Sequence, residues 1–195
     1  MLIDPYRFGA APGGGEIPVE GYGGGQWNAE LGNMTGWTTT VGSPRVRPTD
    51  ADPPGHAPQG SRFYDGGAAS ATSSCYQRIP LAGLVASGLS LAAVDAGTVD
   101  IKAVWWGGQY IQGPPADQPQ LQIVFRDTDT NEISRHASGF KSPTTVVFGF
   151  RWDEYTELTD IPANTRYIDI VMDFDRNFGT ENNACFDDIR VSLIQ

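Results

Sequence analysis

The sequence predicts an all-β protein, an antiparallel β-sandwich, and three observations predict it. Short runs of β-branched and aromatic residues alternate apolar with polar at a period of two. Turn residues punctuate these runs, with 24 Gly and 14 Pro among 195 residues. Strand-like runs follow one another without βαβ alternation and without a repeat of about 20–50 residues. A chain of this length is expected to form one well-cored domain of about eight to ten strands.

The elements follow in order. Residues 1–25 read as an arm, because "APGGGEIPVEGYGGG" carries two Gly triplets and no periodicity. The folded domain is expected to span 26–195. "GWTTTV" (36–41) is β-branched and aromatic, whereas "SPRVRPTDADPPGHAPQG" (43–60) reads as loop. "SRFYDGG" and "SATSSCYQRIPL" give two further strands, and a short turn within 82–92 is the one helical expectation.

"GTVDIKAVWWGG" alternates cleanly, with Val99, Ile101, Ala103 and Trp105 on one face and Asp100, Lys102, Val104 and Trp106 on the other. "LQIVFRDTDTNEISR" reads as a hairpin turning at Asp127–Asn131. "TTVVFGFRW" follows. "TRYIDIVMDFD" then places Ile168, Ile170, Met172 and Phe174 inward, and "CFDDIRVSLI" closes the sheet.

Charge and motifs exclude several functions. A net charge of −10 argues against nucleic-acid binding, which draws on clustered Lys and Arg. "MLIDPYRFGAAPGGG" lacks the basic and apolar regions of a signal peptide. The longest apolar stretch, "IPLAGLVASGLSLAAV" (79–94), is interrupted and too short to span a bilayer. The expectation is a soluble chain, without membrane insertion, either cytoplasmic or delivered outside by another route such as lysis of an infected cell. Cys75 and Cys185 could bridge a loop of about 110 residues and add a few kcal/mol. The alternative is two buried thiols acting as small hydrophobes.

Five pieces then carry a resemblance: "WNAELGNMTGW", "GSRFYDGGAASATSSCYQRIPL", "VDAGTVDIKAVWWGGQY", "IPANTRYIDIVMDF" and "NNACFDDIRVSL". In this order they resemble the galactose-binding-domain-like jelly rolls, which include many carbohydrate-binding modules. They cover about residues 26–195. The resemblance implies a jelly-roll fold and a non-catalytic binding role, and it leaves the ligand open. "MLIDPYRF" with its glycines is similar to the start of small phage structural proteins. That implies a virion component held by residues 1–25 to other virion proteins, as a homo-oligomer or in many copies.

The family resemblance also implies a structural Ca²⁺ held by Glu30 and Asp187 with backbone carbonyls. Strand alternation puts Asp187 with Ile189, Val191 and Leu193, facing the core, and Asp188 with Arg190 and Ser192. A plain Asp accepting turn N–H bonds is the other reading of Asp187. "DTDTNE" (127–132) lacks the Gly and Glu of an EF-hand and reads as a turn. Asp173 and Asp175 read as a solvated strand face.

Aromatic rings stack on the C–H faces of sugars, and Trp106, Tyr110 and Trp152 sit at strand ends or loop mouths. They are the candidate ligand-binding residues, for a glycan or for a neighbouring protein. For catalysis the chain offers only His56 and His136, without HExxH, CxxC, G-x-S-x-G or a phosphate loop. Asp153 and Glu154 would have to face across a substrate to act as glycosidase carboxylates. Three readings follow: a virion structural protein whose head touches host glycans, a free extracellular carbohydrate-binding module, and a glycan-active enzyme.

Overall fold

The computed structural model describes residues 15–19, 29–49, 58, 60–68, 70–111, 114–142 and 149–195. Their strands are β1 (Glu16–Val19), β2 (Thr38–Val41), β3 (Arg45–Pro48), β4 (Arg62–Ala68), β5 (Thr72–Pro80) and β6 (Asp100–Ile111). These are followed by β7 (Gln118–Arg126), β8 (Glu132–Ala137), β9 (Gly149–Asp160), β10 (Tyr167–Asp175) and β11 (Glu181–Ile194). They form two antiparallel sheets. One runs β3-β4-β11-β6-β9, with β1 added beside β11; the other runs β2-β5-β10-β7-β8. The expected sandwich is the observed fold.

Alternation decides which side chains lie between the sheets. Val99, Ile101, Ala103 and Trp105 are fully buried, as are Ile168, Ile170, Met172 and Phe174 on the facing sheet. Trp105 stacks on Phe186 at 4.8 Å, and Phe186 meets Phe174 of the other sheet edge-on at 5.1 Å. This chain of rings joins the two layers through the core and adds directional packing to the buried area. The helical expectation resolves into a 3-10 turn at Leu81–Ser87 and one short helix, α1 (Leu91–Asp95), capped by the Ser90 hydroxyl. Among the described residues no helix is long and apolar enough to cross a membrane.

The outer face of the five-stranded sheet is polar and tied together by charge. Asp169 on β10 receives a two-pronged bond from Arg78 of β5, at 2.6 and 2.9 Å, and one from Arg126 of β7 at 2.5 Å. Three adjacent strands therefore share one carboxylate, which satisfies its oxygens although it is buried. At the far end of β7, Asp127 folds the hairpin by accepting N–H bonds from Asp129 and Asn131. The carboxylate that begins "DTDTNE" thus serves its own turn, as the failed calcium-loop pattern implied.

Three expectations need correction. The arm was expected to end at residue 25, yet Glu16–Val19 pair with Val191–Ile194 and bury Ile17 and Val19. Pairing with β11 makes this short segment a strand and turns its alternate apolar residues, Ile17 and Val19, inward; the rest of 1–25, apart from Gly15, lies outside the described residues. The stretch 43–60 is not all loop, since Arg45–Pro48 pairs with β4. His56 and the residues around it lie outside the described residues.

The third correction concerns the cysteines, which are free. Cys75 belongs to the core of the five-stranded sheet. On β11, Ala184 and Phe186 take the core positions, so Cys185 between them turns to the opposite face of the other sheet. The two thiols thus point away from each other, and burial pushes both pKa values up.

Candidate functional site

The outer face of the six-stranded sheet is built from cross-strand rows, because residues in register on antiparallel strands share a face. One row crosses five strands: Arg45, Asp65, Cys185, Gly108 and Trp152. Beside it, Tyr110 of β6 is registered with Phe150 of β9, and Trp106 lies between Asp187 and Glu154. The middle of the long row is small: a thiol and a glycine.

That small floor lets rings from the flanks converge above it. Strands lie about 4.8 Å apart, so β4 and β9, three strands apart, would hold flat-sheet residues about 14 Å from each other. Yet Phe63 of β4 meets Phe150 and Trp152 of β9 at centroid distances of 5.5 and 5.6 Å. Phe150 also contacts Tyr110 at 5.1 Å. Phe150 and Trp152 are nearly parallel, with 10° between their planes, and both are half-buried. The result is an aromatic platform: Phe63 is fully covered beneath it, and Trp152, Phe150 and Tyr110 are partly open. The indole N–H of Trp152 is buried without a hydrogen-bond partner.

Gly108 is required by this packing. A β-carbon added there would stand 2.4 Å from the six-membered ring of the Trp152 indole, well inside contact distance. The neighbouring Gly107 faces the other way, where an added β-carbon would meet the Trp105 ring at 2.5 Å. The "WWGG" of β6 is thus two pairs, one for each side of the sheet.

Charged groups border the platform. Asp65 is fully buried and takes Arg45 in a two-pronged bond, at 2.9 and 3.2 Å, with Arg47 at 3.4 Å and the Gly67 N–H at 3.0 Å. Burial is the larger influence on its carboxyl and raises the pKa, against the pull of both guanidiniums and the amide. Asp117 is likewise buried and accepts N–H bonds from Asn177, Phe178 and Asn183, which ties the segment before β7 to the start of β11. On the other side of the platform, Arg190 bonds Glu154 and lies 3.2 Å from Asp188.

Neither a family model nor a characterised protein sequence matches the chain. Solved structures do. The enzymatically active domain of tailspike protein 4 of bacteriophage CBA120 aligns with 91% of this chain at 13% identity and a TM-score of 0.55. A Clostridium thermocellum endo-1,4-β-D-xylanase 10B, comprising CBM22-1 and GH10 modules and complexed with xylohexaose, aligns with 91% at 16% identity and a TM-score of 0.51. The shared feature is the fold. This chain spans only 21% and 28% of those two chains. A xylan-binding CBM22-1 domain of Paenibacillus barcinonensis aligns with 95% of this chain and 99% of its own length, at 11% identity. Its TM-score is 0.48. The solved structures similar to this β-sandwich thus include carbohydrate-binding modules.

All three aromatic residues named from the sequence stand on this one face: Trp106, Tyr110 and Trp152 share the rows just described. Sequence reasoning missed Phe63 and Phe150. Phe150 was within reach, because it precedes Trp152 by two residues and so must share its face. Phe63 was not, since its place beside the platform depends on strand order.

The acids divide differently from the sequence expectation. Phe186 and Ile189 both lie in the core although they are three residues apart, so alternation breaks between them. The register shifts between Asp187 and Arg190, and Asp188 adopts a left-handed φ of 42°, marking a β-bulge. Asp187, fully buried, is therefore registered with Trp106 rather than sharing the face of Ile189, and its Oδ1 accepts the Asp188 N–H at 2.8 Å. Glu30 accepts N–H bonds from Ser61 and Arg62 and a bond from the Ser61 hydroxyl. These take three of about four acceptor positions on a carboxylate. Among the described residues no group of three or more His, Cys, Asp or Glu converges as a metal site. An ion between Glu30 and Asp187 would have to draw most of its shell from backbone oxygens.

The acidic pair named for the catalytic alternative does not face across a common site. Asp153 and Glu154, being adjacent in β9, point to opposite faces: Asp153 lies 3.4 Å from the Tyr155 hydroxyl, and Glu154 meets Arg190 outside. His136 is 2.9 Å from Glu157, away from the platform, where β8 and β9 approach across the open edge of the sandwich.

Replacing Gly108 with Ala should push the Trp152 indole off its seat while leaving the core intact. The expected result is red-shifted, more quenchable tryptophan emission with a fall in melting temperature of a few degrees, corresponding to about 1–2 kcal/mol. Unchanged emission and quenching would show that Trp152 does not rest on Gly108.

Proposed function

We propose that this protein is a non-catalytic glycan-binding component of a virion surface, and that it binds through the aromatic face of its six-stranded sheet. The observation that carries the reading is the platform of Trp152, Phe150 and Tyr110 beside Trp106, built over Cys185 and Gly108. Pyranose rings offer C–H faces that pack on flat aromatic rings, and a row of such rings on a rigid sheet presents them without ordering cost. The sandwich likeness to structures that include carbohydrate-binding modules supports the same reading.

The non-catalytic part rests on the acids of this face. Glu154 is committed to Arg190, and Asp187 has no exposed surface. Hydrolysis by a carboxylate pair needs two acids separated by about 5–9 Å across an accessible bond. No step in this reading draws on a bound cation.

The virion part is supported by the likeness to a phage tailspike domain and by the placement of β1. Glu16–Val19 pair within the sheet, and attachment to other virion proteins is assigned to the part of the arm before them, residues 1–14. The head is displayed in many copies, and multivalent display raises the avidity of a weak glycan site.

Two experiments test the two parts. Trp152→Ala and Tyr110→Ala should each weaken binding to neutral oligosaccharides by about 2 kcal/mol, roughly thirtyfold, while the Tyr110 variant keeps its melting temperature. Retained affinity in both variants would move the site elsewhere. Deleting residues 1–14 should leave a soluble folded head that is missing from purified particles; normal incorporation of the truncated protein would rule out attachment through that segment.

A further inference from the structure

Resting on the glycan-binding reading, a property of the same face narrows the ligand. Among the described residues, four basic side chains lie on the outer side of the six-stranded sheet, and each is already paired. Arg45 and Arg47 both contact buried Asp65, and both reach Glu181, at 3.5 and 3.8 Å. Arg190 is held by Glu154 and Asp188. Lys102 lies 3.7 Å from Glu16. Arg62 and Arg151 alternate with Phe63 and Trp152 and so belong to the other side.

We infer that this face selects uncharged glycans and rejects those carrying uronate or sulfate groups, and that Glu154, Asp188 and Glu181 set this selectivity by neutralising the arginines. Recognition of an anionic sugar uses a guanidinium free to form a two-pronged bond with its carboxylate or sulfate. Here an incoming anion would have to displace a protein carboxylate from each arginine, leaving that acid unpaired beside it. Placing like charges together at an interface costs several kcal/mol and suppresses wrong partners. Neutral hydroxyls meet no such barrier, because the paired carboxylates and guanidiniums keep outward lone pairs and N–H groups for hydrogen bonds.

The selectivity is local rather than a consequence of the overall charge of −10, and the two are separable. Substituting both Glu154→Gln and Asp188→Asn removes two charges and leaves Arg190 without an ionised partner. Asn tolerates the left-handed backbone at position 188, so the bulge is kept. Glu181→Gln removes the exposed acid from the Arg45 and Arg47 pair, with a single charge removed, and leaves both guanidiniums sharing Asp65 alone.

The test uses matched polymers. Neutral glucan, mannan and galactan are each compared with their own C6-carboxylated derivative, so that backbone and linkage stay constant and only charge differs. The full-length protein should bind at least one neutral polymer and bind its carboxylated form at least about tenfold more weakly. The Glu154→Gln/Asp188→Asn and Glu181→Gln variants, folded by melting temperature, should each narrow that gap by about tenfold. Equal binding of neutral and carboxylated forms by the unmodified protein would overturn the inference while glycan binding stood. A gap that neither variant narrows would also overturn it, assigning discrimination to the overall charge. Binding to none of the polymers would remove the glycan reading and the inference with it.

Discussion

The two-residue period of β6 is the constraint on which the rest of the structure depends. Along one strand it sends Ile101, Ala103 and Trp105 into the core and Trp106, Gly108 and Tyr110 to the outer face. Trp105 then stacks with Phe186 and through it reaches the second sheet, while Gly108 gives the Trp152 ring its seat. The stability of the sandwich and the shape of the candidate site thus come from the same twelve residues. A register slip by one residue would exchange the two sets and destroy both.

Much of this was legible in the sequence because two interior strands, one in each sheet, are regular. β6 and β10 alternate without interruption, and their inward residues are those the pattern names. The unread parts fail for identifiable reasons. β1 and β3 have four residues each, contain Pro and adjoin Gly- or Pro-rich segments, so local signals favour loop. Their strand character comes from pairing with β11 and β4, which only the tertiary fold supplies. Asp187 was assigned to the core face by an alternation that the bulge at Asp188 interrupts, and nothing in "CFDDIRV" announces an extra residue. The platform was legible in its Trp and Tyr but not in Phe63, whose role depends on which strands flank β11.

The acidic composition has a similar lesson. Read as a string, the paired and alternate aspartates suggest cation sites or catalytic dyads. In the fold, Asp65, Asp117 and Asp169 are buried and each is met by arginines or backbone amides that hold adjoining segments together. Such carboxylates are costly to bury alone and are therefore found surrounded by donors. On the aromatic face this pairing has a functional side, because arginines spent on internal acids are withdrawn from any ligand.

The central claim is that ligand meets the rings of the six-stranded sheet's outer face. The chain has five tryptophans, whose indole N–H signals report separately by nuclear magnetic resonance. Titration with neutral oligosaccharides should shift the Trp106 and Trp152 signals together and saturably, and leave those of Trp37 and Trp105, both in the core, in place. Saturable shifts confined to other signals, with Trp106 and Trp152 unmoved, would contradict the account.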